Sequence, residues 1–135
     1  MDKNGWPTFL SDPSDIFELY DRPPALGSCD LFYVHIDERE TSITFGFETR
    51  QPPSRPKQKW KEKEFNSINF FLYFTGTSQL RINGWGCPGQ KNVDILRGDE
   101  GGMNVRVSSD GSHIEFRAES ASIAHVRAFL AASGS

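Results

Sequence analysis

With 135 residues and a formal net charge of −3, the chain is long enough to bury one core without metal or disulfide staples, and it has no basic excess. That balance argues against a nucleic-acid partner, which needs clustered lysine and arginine. No run approaches the length of a membrane span and the start MDKNGWPTFL lacks a signal-length apolar stretch, so the expectation is a cytoplasmic protein with no membrane partner.

Aromatic residues make up 13% of the chain and 11 of them are phenylalanine, which is ample core material. The first 30 residues read as an N-terminal cap. In SDPSDIFELYDRPPALGS, Asp12 is the expected N-cap and Pro13 the first helical residue, where its missing N–H costs nothing. Ile16, Leu19 and Tyr20 form a short apolar stripe, and Pro23-Pro24 stops the helix. Two turns of helix are not stable alone, so this one should lean on a sheet. Trp6, beside Pro7, is expected to plug one end of the fold. The single domain should span residues 1–135, since no repeat and no linker interrupts it.

Leu31 to Ile36 is the first expected strand and Asp37-Glu38-Arg39-Glu40 a charged turn. Ser42 to Thr49 returns with Ile43, Phe45 and Phe47 alternating, which leaves Thr44, Gly46 and Glu48 on an open face. Residues 51–64, with three prolines and a lysine-rich run around Trp60, form the longest connection. The most strongly patterned stretch is FNSINFFLYFTGTSQLRINGWG, residues 65–86. Phe70, Leu72 and Phe74 face one way and Phe71 and Tyr73 the other, which predicts a central strand buried on both sides. Gly76-Thr77 predicts a two-residue hairpin turn pairing Tyr73 with Leu80 and Phe71 with Ile82. Gln79, Arg81 and Asn83 then lie beside the phenylalanines and face water or a partner.

Beyond the Gly84–Gly89 loop, Asn92 to Leu96 reads as a short strand. Met103 to Ser108 and Ser112 to Arg117 read as a hairpin turning at Asp110-Gly111, with Val107 facing Ile114 and Val105 facing Phe116. Ser120 to Leu130 fits a helix or a strand, and its neighbours favour the strand. The expected architecture is mainly β: an antiparallel β-sandwich or strongly curved sheet of about seven or eight strands with one short N-terminal helix.

Chemistry-bearing motifs are scarce. His35, His113 and His125 fall on three different strands without metal-ligand spacing, and the acids concentrate in turns. GxSxG, P-loop and dinucleotide fingerprints are missing, so neither an enzyme nor a cofactor site is expected. Cys29 and Cys87 are the only cysteines, and two lone thiols read as reduced. Trp60 and Trp85 are each either core plugs or presented anchors, since tryptophan is enriched at interface hot spots. A core-rich chain poor in catalytic constellations favours a binding protein. The residues placed for a partner are Trp60, Trp85, Arg81, Asn83, Asp37 and Glu38. The alternative is a carbohydrate or small-ligand β-module with Trp60 and Trp85 as stacking platforms.

An ordered set of motifs carries a resemblance. Trp6-Pro7-Thr8-Phe9 and Pro23-Pro24-Ala25-Leu26 precede Val34-His35-Ile36-Asp37 and Ile43-Thr44-Phe45. Lys59-Trp60, Phe65-Asn66 and Ile82-Asn83-Gly84-Trp85-Gly86 complete it. The set resembles the immunity protein 50 family of bacterial polymorphic toxin systems. The resemblance implies a cytoplasmic protein that binds and neutralises a cognate toxin domain without catalysis. It implies no particular toxin activity and no catalytic residues.

Overall fold

The alternation in Ser42–Thr49 places Ile43, Phe45 and Phe47 on one face, and all three are buried. Strands around it repeat the pattern and close a two-layer core. The computed structural model describes residues 5–84 and 91–131. In the first sheet β1 (Asp30–Asp37), β2 (Ser42–Thr49), β3 (Ser67–Thr75) and β8 (Ser120–Phe129) lie in that order, all antiparallel. The second sheet runs β4 (Ser78–Asn83), β7 (Ser112–Ala118), β6 (Met103–Ser109) and β5 (Asn92–Arg97). The inner faces meet at Phe116, whose ring lies 5.7 Å from Phe45 and 5.3 Å from Phe74 in edge-to-face contacts. The fold is the expected β-sandwich.

The hairpin at Asp110-Gly111 has the register read from sequence, Val107 opposite Ile114 and Val105 opposite Phe116. The last segment is a strand. A correction falls on the most strongly patterned stretch. β3 and β4 are not a hairpin: β3 pairs with β2 and β8, whereas β4 pairs with β7 in the other sheet. Tyr73 therefore lies opposite Ser122 and Thr44, not Leu80, and Phe71 opposite Ala124 and Gly46, not Ile82. Gly76 at φ 62° and Gln79 at φ 55° turn the chain out of the first sheet. Thr77 N–H donates to Thr41 O, and Glu119 N–H takes the Thr75 carbonyl as β8 claims the edge. A long ladder to β8 outcompetes the local turn, and Gln79, Arg81 and Asn83 end up away from the phenylalanines.

The N-terminal segment closes one part of the sandwich. Trp6 stacks on Phe70 with centroids 5.3 Å apart, and its Nε1 donates to Pro24 O at 2.8 Å. Leu10 bridges to Ala121 of β8. Helix α1 (Ser14–Leu19) starts one residue later than expected: Pro13 is the N-cap, and Asp12 accepts from Ser14 N–H at 3.0 Å. Its Ile16 and Leu19 are buried, and the following Tyr20 donates to Gln51 O at 2.8 Å. Arg55 from the long connection holds the helix end, donating to Phe17 O and Glu18 O while pairing with Asp21. Guanidinium donors there satisfy carbonyls that have no partner within the helix.

Candidate functional site

Because side chains alternate along a strand, β3 sends Phe70, Leu72 and Phe74 into the core and Phe71 and Tyr73 outward. The outward face is not buried, which corrects the expectation of a strand covered on both sides. No second layer packs there among the described residues, so Phe71 and Tyr73 stand half-exposed on the outer face of the first sheet.

Two bulges thicken that face with aromatic groups. In β1 the register slips between Leu31 and Tyr33, so Phe32 and Tyr33 share the position opposite Gly46. Both are well exposed, at 45% and 42%. In β8 the slip lies between Ala124 and Arg127, and His125 takes a positive φ of 53°. Bulges re-aim side chains in this way. The rings form a connected cluster. Phe71 lies 5.8 Å from Phe32, 5.7 Å from Tyr33 and 6.1 Å from His125, each edge-on, and Tyr33 stacks with His35 at 6.3 Å.

Gly46 makes the arrangement possible. A Cβ there would come within 2.7 Å of Phe71, 2.9 Å of the Tyr33 Cβ and 3.1 Å of Phe32. With small residues Gly46, Thr44, Ala124 and Ser122 in the rows beside Phe71 and Tyr73, the face is hollowed. The hollow measures about 700 Å³ and is lined by Tyr33, Thr44, Phe71, Tyr73, His125 and Arg127 among others. Next to Arg127 in the register, Asn69 keeps its Oδ1 buried without a hydrogen-bond partner. An unpaired buried acceptor of this kind costs about 1–3 kcal/mol until a donor reaches it.

The residues expected from sequence to meet a partner are dispersed. Arg81 and Asn83 are exposed on β4, on the outer face of the second sheet beside Glu115 and His113. Asp37 and Glu38 sit at the β1–β2 turn, where Asp37 Oδ1 accepts from the Arg39 and Glu40 backbone at 3.0 and 3.2 Å. Turn closure accounts for Asp37. Trp60 is 2% exposed, edge-on to Phe65 at 6.1 Å with the Lys57 ammonium 5.4 Å from its ring centroid. It is a core plug, so the anchor reading of Trp60 is corrected. Trp85 and Cys87 lie outside the described residues.

Phe32, Tyr33, Phe71, Tyr73 and His125 were missed as a surface. Their signal was present: an aromatic second face on β3 next to a predicted open face containing Gly46. Reading both faces of β3 as core concealed it. Among the described residues, no three His, Cys, Asp or Glu side chains gather as metal ligands. Cys29 is a free thiol whose burial pushes its pKa up to about 11, far from the reactive thiolate range. Chemically, the face can pack rings and apolar groups, stack cations and accept or donate a few polar contacts.

The sequence model of a family described as Immunity protein 50 matches residues 12–129. No curated protein and no solved structure matches the chain.

Proposed function

Because the chain belongs to the immunity protein 50 family, we propose that it neutralises a cognate toxin domain by binding it, with the aromatic face of the first sheet as the docking surface. The observation that carries this reading is the connected cluster of Phe32, Tyr33, Phe71 and His125 left uncovered around a hollow. Exposed aromatic groups on a rigid scaffold are the side chains that dominate interface energetics, because they bury much area at little entropic cost. They sit on paired strands rather than loops, so the face is ordered before the partner arrives. Inhibition then proceeds by occlusion: the toxin's functional surface is covered and no bond is made or broken. The setting we propose is the bacterial cytoplasm, where a toxin domain entering or made in the cell would meet its antagonist.

Arg127 and His125 at the hollow supply polar contacts at the rim of an apolar patch, the usual anatomy of an interface.

Co-expression with the toxin domain encoded beside the gene tests the reading. Cell survival and a co-purifying complex are expected, and Tyr33→Ala should weaken the complex by about 2 kcal/mol with little change in folding stability. A stable complex unaffected by Tyr33→Ala and Phe71→Ala would remove the aromatic face from the interface. A second reading rests on the same hollow, whose size falls within the range of small-ligand sites, about 300–1,000 Å³. Saturable perturbation of Tyr33 and Tyr73 by free sugars, with no complex and no rescue, would favour it.

A further inference from the structure

The outer face of the second sheet carries a different chemistry. Across the strands, Arg81 of β4 and Arg106 of β6 both lie opposite Glu115 of β7. The next row holds Arg117 of β7 opposite Asn104 of β6. A groove of about 320 Å³ runs between them, lined by Gln79, Arg81, Asn104, Arg106, Glu115 and Arg117 together with apolar Leu96, Val105 and Phe116. In a chain of net charge −3, this groove holds three guanidiniums and one carboxylate.

Glu115 does not saturate those guanidiniums. It lies 3.8 Å from Arg81 Nη1, 3.5 Å from Arg106 Nε and 3.6 Å from His113 Nε2. All three contacts are longer than hydrogen bonds, which run about 2.7–3.2 Å for N–H···O. Among the described residues neither the Arg81 nor the Arg106 guanidinium makes a side-chain hydrogen bond, whereas Arg117 is held by Gly101 O at 2.9 Å. Asp94 faces Arg106 in the register, yet the two form no ion pair. Arg81 and Arg106 are 75% and 60% exposed, against 29% for Glu115. One carboxylate thus sits low between two raised, exposed arginines and leaves most of their donors uncommitted among the described residues.

We propose that this groove is a binding site for a phosphate-type oxyanion. A guanidinium offers its donors in a planar fork that matches two oxygens at once. A carboxylate has two oxygens and one charge, and a single fork satisfies it. A phosphate has enough oxygens and charge to engage Arg81, Arg106 and Arg117 from three strands together, with the Gln79 and Asn104 amides as further donors. The low carboxylate lowers affinity for any anion, so the site suits a dianion or pyrophosphate better than a monovalent ion. It lies on the other sheet from the aromatic face, and it stands or falls independently of toxin binding.

The test is a titration of the free protein with inorganic pyrophosphate at constant ionic strength, followed by backbone and arginine side-chain NMR signals. Saturable shifts confined to β4, β6 and β7 around Arg81, Arg106 and Arg117 are expected. Arg81→Gln/Arg106→Gln should weaken binding by about tenfold or more, the equivalent of one charge-assisted hydrogen bond. Arg39→Gln, which removes one charge from an exposed turn, should leave it unchanged. Shifts centred on the lysines of residues 57–63, non-saturating shifts, or undiminished binding in the double variant would each overturn the site. Equal affinity for citrate would overturn the phosphate assignment.

Discussion

Replacing Gly46 by alanine tests the packing that builds the aromatic face. The new methyl group would lie 2.7 Å from Phe71 Cε2, 2.9 Å from Tyr33 Cβ and 3.1 Å from Phe32 Cζ. The Phe71 ring can swing aside, but the Tyr33 Cβ moves only with the β1 backbone. Overpacking of this kind costs about 1–3 kcal/mol. Against it, alanine restricts the unfolded chain and returns about 0.4–1 kcal/mol where the backbone conformation is allowed, and Gly46 has no positive φ. The net expectation is a loss of about 1–2 kcal/mol, read as a lower urea midpoint with an unchanged slope. Gly46→Ser should lose at least as much. Because the displaced groups are Phe71 and Tyr33, toxin binding should fall further than stability alone explains. A Gly46→Ala protein as stable as the parent would show that the face yields freely, and would refute the claim that this glycine shapes it.

Two further outcomes are expected. Arg55→Ala removes the donors to Phe17 O and Glu18 O at the end of α1. It should cost about 1 kcal/mol, the usual net worth of a hydrogen bond, and loosen α1 in hydrogen exchange while leaving the strands protected. Alkaline conditions should destabilise the fold through Cys29, whose pKa rises in the folded protein from 9.0 to about 11 by burial. Its contribution is fully present below the unfolded value and is lost as pH climbs toward the folded one, because only the unfolded chain releases the proton. The slope is about 1.4 kcal/mol per pH unit between these values. Cys29→Ala should flatten it in urea unfolding measured from pH 8 to 11. Burial of the Tyr20 phenol raises its pKa as well, which adds to the same trend at higher pH.

Strand content, the buried Ile43-Phe45-Phe47 face, the Asp110-Gly111 hairpin and its register were all legible in the residues. Each depends on neighbours a few positions apart: alternation is a property of one strand, and a tight turn fixes the pairing of the two segments it joins. The short apolar stripe of α1 was legible for the same reason. What the linear chain could not reveal was competition between distant partners. Gly76-Thr77 has the composition of a hairpin turn, yet Thr75 pairs with Ser120, and β8 occupies the edge that β4 would have taken. The consequence reaches the candidate site. With β4 removed to the other sheet, Arg81 joins Arg106 and Arg117 around a groove, and Phe71 and Tyr73 are left on the outer face between β2 and β8.

Trp60 shows the same division. Its aromatic character was plain, but whether a loop tryptophan folds inward depends on Phe65 and the strands beneath it. Family membership followed from an ordered set of local motifs. Which surface is available to a partner followed from which faces were left uncovered once both sheets had closed on one core. Local patterning specifies what each segment can become. Burial is shared among segments far apart in the chain, so it is the packing of whole sheets that leaves one aromatic face out.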